Sequence, residues 1–189
     1  MRSSPIALSA VAATLALAVL APWPANGQAR TADVRVAWGY NYGLDDTPPH
    51  GLVGGLSATV PVTDHLRVGG EVQKVNQFGP YNDYQSRALL ARALVEYELL
   101  PGRRFNPYWM VGAGPTQYRT RYPVGYVYDE ALGDYIPTDA FEWDVQHRFH
   151  FTGGIGLRAY VSDHVFVNPE LRFGVLPLVQ GTVALGVSF

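Results

Sequence analysis

From Val179 to Phe189 every second residue is apolar or glycine: Val179, Gly181, Val183, Leu185, Val187 and Phe189. Between them stand Gln180, Thr182, Ala184, Gly186 and Ser188, all small or polar. A period of two is a strand signature, one face oily and the other polar. An oily stripe that closes on an aromatic residue suits the last strand of a sheet that seals itself in lipid, where no edge is left open.

The same alternation recurs in seven earlier segments, separated by turn-forming residues. They run from Asp33 to Tyr42, Gly51 to Val62, Leu66 to about Phe78, Arg87 to Leu99, Asn106 to about Tyr118, His147 to Val161 and His164 to Gly174. In the first, Val34, Val36, Trp38, Tyr40 and Tyr42 share a face. In the second, Leu52, Leu56, Ala58, Val60 and Val62 face outward. The third loses its alternation at Lys74-Val75, where a bulge is expected. In the fifth, Trp109, Val111 and Ala113 point outward and Gly112 and Gly114 inward. Pro169 in the seventh cannot donate to a ladder, so a second bulge is expected there. The fold expected is all-β, an eight-stranded antiparallel up-and-down transmembrane β-barrel.

Two turns echo each other. Val62-Thr63-Asp64-His65 and Val161-Ser162-Asp163-His164 each precede a strand that carries an acid six residues after the histidine, Glu71 and Glu170. Both join an even strand to the next odd one, so they lie at one end of the barrel. That end has short connections (63–65, 100–105, 162–163). The other has longer loops at 43–50, 79–86 and 119–146, and a tight turn near Leu176-Pro177. Bacterial barrels keep short turns in the periplasm and long loops outside. Tyr40, Tyr42, Phe149, Phe151 and Phe173 then form an upper aromatic belt, and Tyr97, Trp109 and Phe189 a lower one.

The start of the chain agrees with export. Arg2 precedes an apolar run from Ile6 to Ala21, followed by Pro22, Pro24 and small residues. The run is shorter than the ~20 residues of a spanning helix and has the layout of a signal peptide. Residues 1–27 are the expected signal, cleaved after Gly27 or after Ala29, and the barrel domain occupies 28–189. Without Arg2, 13 basic residues face 16 acidic ones, so no basic excess draws nucleic acid. There is no cysteine, hence no disulfide and no lipidated cysteine. Mean hydropathy is −0.01, as expected where polar inward residues dilute lipid-facing ones.

The polar faces collect Arg35, Arg67, Arg92, Arg148, Arg158 and Arg172 with Asp33, Glu71, Glu96 and Glu170. Eight strands enclose an interior that side chains just fill, so these charges are expected to pair across the lumen. Glu71, Arg92, Glu96, Glu170 and Arg172 are placed at its centre, and replacing Arg92 with alanine is expected to strand a carboxylate. A gated ion path is the competing reading. The loop from Arg119 to Gln146 holds Tyr126, Tyr128, Asp129, Glu130, Asp134, Tyr135, Asp139, Glu142, Trp143 and Asp144. Ala131-Leu132-Gly133-Asp134 suits a hairpin turn that would lift strands five and six above the membrane and expose edges to a protein partner. A solvated loop bridged to lipopolysaccharide by divalent ions is the alternative. No zinc-like spacing and no phosphate loop is present, and no cofactor is expected.

Taken together, the mature sequence resembles the outer-membrane β-barrel superfamily in its small, OmpA/OmpX-like form. The resemblance is carried by Val183-Ala184-Leu185-Gly186-Val187-Ser188-Phe189 and the repeated Asp-His turns. It implies residence in the outer membrane of a Gram-negative-type bacterium, contact with outer-membrane lipid and lipopolysaccharide, and a role for Phe189 in the signal read by the barrel-insertion machinery, with periplasmic chaperones on the way. Small barrels that deacylate lipid A use a His and a Ser two apart; here the pair is His150 and Thr152, both inward and without an acidic third partner. A structural or surface-interaction role is therefore expected, with a narrow pore or a lipid-modifying enzyme as alternatives.

Overall fold

The alternation closes into a barrel. A computed structural model describes residues 32–43, 50–78, 85–138, 140–174 and 178–189. The expected signal peptide with its cleavage positions, residues 44–49 and 79–84 of two loops, Asp139 and the Leu176-Pro177 turn lie outside the described residues. The strands are β1 (Asp33–Gly43), β2 (His50–Pro61), β3 (Leu66–Phe78), β4 (Gln85–Glu98), β5 (Phe105–Pro123), β6 (Tyr126–Asp129), β7 (Asp134–Pro137), β8 (Phe141–Tyr160), β9 (Val165–Phe173) and β10 (Leu178–Ser188). Eight of them close one antiparallel sheet in the order β1-β2-β3-β4-β5-β8-β9-β10, with β10 returning to β1, and β6 and β7 form a separate hairpin. Closure leaves every barrel strand a partner on each side, which is what a sheet in lipid requires.

Following the register once round the sheet from Leu157 leads to His147 on the same strand, a stagger of ten residues (157 less 147). Strand number and stagger together set the tilt and the bore, and at eight strands the bore holds side chains rather than a channel. The outward stripe is as read from the sequence: Val34, Val36, Trp38, Leu56, Trp109, Ile155, Leu185 and Phe189 are exposed. Val60 shares this stripe but is covered.

Neither expected bulge exists. β3 keeps one register with β2 and β4 from Leu66 to Phe78. Lys74 points out and Val75 points in; what changes there is the chemistry of the two faces, not the pleat. Pro169 likewise stands in register, opposite Val183 on β10. On its other side the ladder to β8 lapses opposite Leu157 and Arg158 and resumes with the same offset at Ala159. A lapse of two pairs is enough to accommodate the missing N–H. β5 and β8 also run beyond the expected ends, pairing as far as Pro123 and Phe141.

The two Asp-His turns are built alike. Val62 and Thr63 donate to the Leu66 carbonyl (2.8 and 3.2 Å), and Val161 and Ser162 to that of Val165 (2.9 and 3.2 Å). Thr63 Oγ1 accepts from Leu66 N (3.0 Å) and Ser162 Oγ from Val165 N (3.1 Å). Each histidine then ties its turn to the next strand end: His65 Nδ1 lies 2.7 Å from the Glu98 carbonyl and His164 Nδ1 3.2 Å from that of Ser188. A carbonyl only accepts, so the proton sits on Nδ1 in both. These are turn histidines, as the sequence suggested. His65 also stacks on Tyr97 (5.5 Å), and Tyr97 meets Trp109 at a tilt (5.6 Å), a row of rings along the lower rim.

Candidate functional site: the filled lumen and the long hairpin

Period two puts the even-numbered polar residues of β4, β8, β9 and β10 and the odd-numbered ones of β1, β2 and β3 on the inner wall. The buried charges there are Arg35, Arg67, Arg92, Arg158 and Arg172 against Asp33, Glu71, Glu96, Glu98 and Glu170. Among the described residues five buried cations face five buried anions. An isolated buried charge would cost several kcal/mol, so the pairing has to be complete for the barrel to be stable.

It is arranged in layers. At the short-turn end Asp33 takes Arg67 (3.0 Å) and Arg158 (3.2 Å), and Ser188 Oγ donates to its other oxygen (2.6 Å). Arg158 also pairs with Glu98 and Glu96, and Arg67 Nε stands 3.8 Å from Glu98. In the next layer Glu96 passes from Arg158 to Arg35. Arg35 Nη1 donates to Asn168 and Glu170, each at 3.2 Å, and Tyr108 Oη donates to Glu170. Higher still, Arg172 Nη1 donates to both oxygens of Glu71 (2.6 and 2.7 Å) and its Nε to Glu170 (2.8 Å). Glu71 and Glu170, the acids of the two echoing turns, thus clasp one arginine. Arg92 Nη2 pairs with Glu71 at 2.6 Å and also donates to Gln73.

The predicted set Arg35, Arg67, Glu71, Arg92, Glu96, Arg158, Glu170 and Arg172 is therefore brought together in the lumen. One expectation is corrected. Removing Arg92 does not strand Glu71, which keeps Arg172, and Arg92 Nε and Nη1 have no hydrogen-bond partner. Arg92 is a peripheral member of the network. Arg148 shares the inward parity yet is exposed above the lumen, 5.9 Å from the Tyr118 ring. Sequence reasoning missed Glu98 and Tyr108, although both have inward parity, and it placed Gln73 and Asn168 on the inner face without assigning them to the network. It also missed an apolar cluster in the upper lumen: Val53, Val75, Ala88, Leu90 and Tyr118 are buried together on the β2–β5 side, beside buried Asn41, Gln77, Thr116 and Gln180. A cavity of about 580 Å³ lies outside the lumen, at the short-turn end between Gly102–Arg104 and Tyr160–Asp163.

His150 and Thr152 are not bonded to each other. His150 Nε2 meets Tyr118 Oη at 3.2 Å, and Thr152 Oγ1 donates to the Phe173 carbonyl (3.1 Å). Each is committed to another partner.

Above the barrel, β5 and β8 continue as a ribbon capped by β6 and β7. Asp129 Oδ1 accepts from Ala131 N (2.8 Å), Gly133 N returns to the Asp129 carbonyl (2.8 Å), and Gly133 takes φ +66°, which glycine adopts without a Cβ clash. This is the hairpin expected at Ala131–Asp134. Tyr128 and Tyr135 meet edge to face at 5.3 Å, and they, Tyr126 and Glu130 are exposed. Asp134 is held by Tyr135 N (2.7 Å), and Trp143 faces Arg87 lower on the ribbon. Among the described residues no three acidic or histidine side chains converge as a metal site requires. β8 pairs with β9 only from Gly153 onward, so among the described residues Phe141–His150 has β5 as its one ladder partner and an open main-chain edge on the other side.

Residues 7–177 match the outer membrane protein beta-barrel domain family. No curated protein matches the chain. Among solved structures the outer membrane protein OprG of Pseudomonas aeruginosa superposes with a TM-score of 0.55 at 13% identity, over 85% of this chain and 97% of that one. Neisserial surface protein A gives 0.53 at 17% identity, over 84% and 95%. Ail, the attachment invasion locus protein of Yersinia pestis, gives 0.53 at 12% identity, over 85% and 99%. At these identities the likeness is one of fold.

Proposed function

Because this chain belongs to the outer membrane protein beta-barrel domain family, we propose that it is a sealed, non-enzymatic barrel of the bacterial outer membrane whose work is done at its surface. The observation that carries this reading is the lumen: among the described residues five arginines pair with five carboxylates inside it, a filling that supports a closed and chemically quiet interior. The charged filling makes the wall a rigid support, and the β5–β8 ribbon is the part presented to a partner. Its exposed tyrosines and the open edge of β8 suit an extended protein segment that adds by main-chain bonds. Two of the structural neighbours are named for surface roles, a Neisserial surface protein and an attachment invasion locus protein, which favours the same use of this fold. Export by residues 1–27 and delivery through periplasmic chaperones to the insertion machinery, with Phe189 in the recognised strand, belong to the proposal.

Protease added to intact cells tests it. The expected result is cleavage within residues 124–140 that leaves the barrel core whole. A hairpin protected until the envelope is opened would overturn the reading. Unchanged lipid A masses on expression are expected as well; a new acylation state would establish the enzyme instead.

A further inference from the structure

The outer wall is oily all the way up on one side of the barrel and turns basic on the other. On β1 the outward series Val34, Val36, Trp38, Tyr40, Tyr42 stays apolar or aromatic to its end, and on β9 it ends with Leu171 and Phe173. On β5 the series Trp109, Val111, Ala113 gives way to Gln117, Arg119 and Arg121. On β4 Leu89 is followed upward by Arg87, and on β3 Val72 is followed by Lys74. The registers place these cations side by side: Arg87 pairs with Arg119, and Lys74 pairs with Leu89, one outward step below Arg87.

Arg87 and Arg119 are like charges directly opposite each other, an arrangement that destabilises a sheet unless an anion lies between them. Among the described residues no carboxylate supplies it. Glu142 and Asp144 have the other parity and are engaged with Tyr122 (3.3 Å) and Gln146 (2.6 Å). Arg121 lies over the Phe141 ring at 3.6 Å and Arg87 over the Trp143 ring at 5.6 Å. Stacking holds two guanidinium planes while leaving N–H edges free, the presentation that suits a phosphate. Directly below is the stripe that faces acyl chains.

We propose that Lys74, Arg87, Arg119 and Arg121 form a binding site for the phosphorylated sugar headgroup of an outer-leaflet glycolipid, the acyl chains running down the β3–β5 wall. The chemistry matches in order: basic groups at headgroup height, apolar side chains beneath, and aromatic rings beside the cations for the sugar. The site rests on the reading that the long-hairpin end faces outward.

Binding to the refolded protein in detergent tests it, with three probes: bis-phosphorylated lipid A, the same lipid dephosphorylated, and phosphatidylglycerol. Lipid A is expected to bind at least about tenfold more tightly than either of the others, because several charge-assisted contacts are lost together. The Arg87→Gln/Arg119→Gln/Arg121→Gln variant is expected to lose that advantage while keeping the heat-dependent gel shift of a folded barrel. If the triple variant does not fold, Arg119→Gln alone is expected to weaken lipid A binding about threefold, the loss of one such contact. Equal binding of dephosphorylated lipid A, equal binding of phosphatidylglycerol, or full affinity in a folded variant would each overturn the site. A hairpin protected on intact cells would overturn the orientation instead, and leaves these detergent affinities readable.

Discussion

Arg158→Met is expected to lower the unfolding free energy in detergent micelles by about 3–5 kcal/mol, the cost of breaking a buried ion network on one side. Arg158 is 0% exposed and contacts Asp33, Glu96 and Glu98. Methionine fills similar space, so the loss is mainly of charge. Arg67 stays on Asp33 and Arg35 on Glu96, but Glu98 loses its closest partner, Arg67 Nε standing 3.8 Å away, and is left as a poorly compensated buried carboxylate. Arg92→Met is the control. Glu71 keeps both bonds from Arg172, and the expected cost is about 1–2 kcal/mol, that of charged hydrogen bonds alone. Denaturant midpoints of the two variants check the ranking. Equal losses would mean that the network is not organised around Arg158.

Gly156→Val is expected to cost about 2–4 kcal/mol through overpacking and the loss of a charged hydrogen bond. Gly156 pairs with Tyr108 across β8 and β5, and the tyrosine ring lies over it. A Cβ at Gly156 would stand 2.4 Å from Tyr108 Cζ and 2.5 Å from its Oη. The ring must tilt, and its hydroxyl leaves Glu170 and Asn168. Valine's better strand propensity returns at most about 1 kcal/mol, too little to reverse the sign. Restoring space with Tyr108→Phe in the same chain would not recover the loss, since the hydroxyl is what anchors the layer. Gly186 receives the Phe166 ring in the same manner.

Parity made the wall legible from sequence. Because Cβ atoms alternate along a strand, Arg35, Glu71, Glu96, Arg158, Glu170 and Arg172 could be assigned to one face before any pairing was known. Glu98 and Tyr108 obey the same parity but went unassigned. Glu98 lies at the very end of its strand, and a tyrosine fits either face of a membrane barrel. The apolar cluster was hidden for a related reason. In a bore this narrow the lumen is itself a packed core, so Val75 and Leu90 are as well placed inside as outside, and hydrophobicity stops distinguishing the faces. That same ambiguity made an unbroken β3 look bulged at Lys74-Val75. Pro169 misled because a missing donor was taken to need an extra residue, whereas a lapse in pairing suffices. The Asp-His turns were recognisable as repeats, but the bonds from His65 and His164 to neighbouring carbonyls depend on which strands adjoin, which local sequence does not specify.

The central claim is that a set of paired charges, with packed side chains above it, closes the lumen. Electrical recording from the purified full-length protein in a planar lipid bilayer tests this most directly. A closed lumen predicts no steady unitary current at any moderate voltage. A reproducible ohmic conductance of fixed size, scaling with salt concentration, would contradict it.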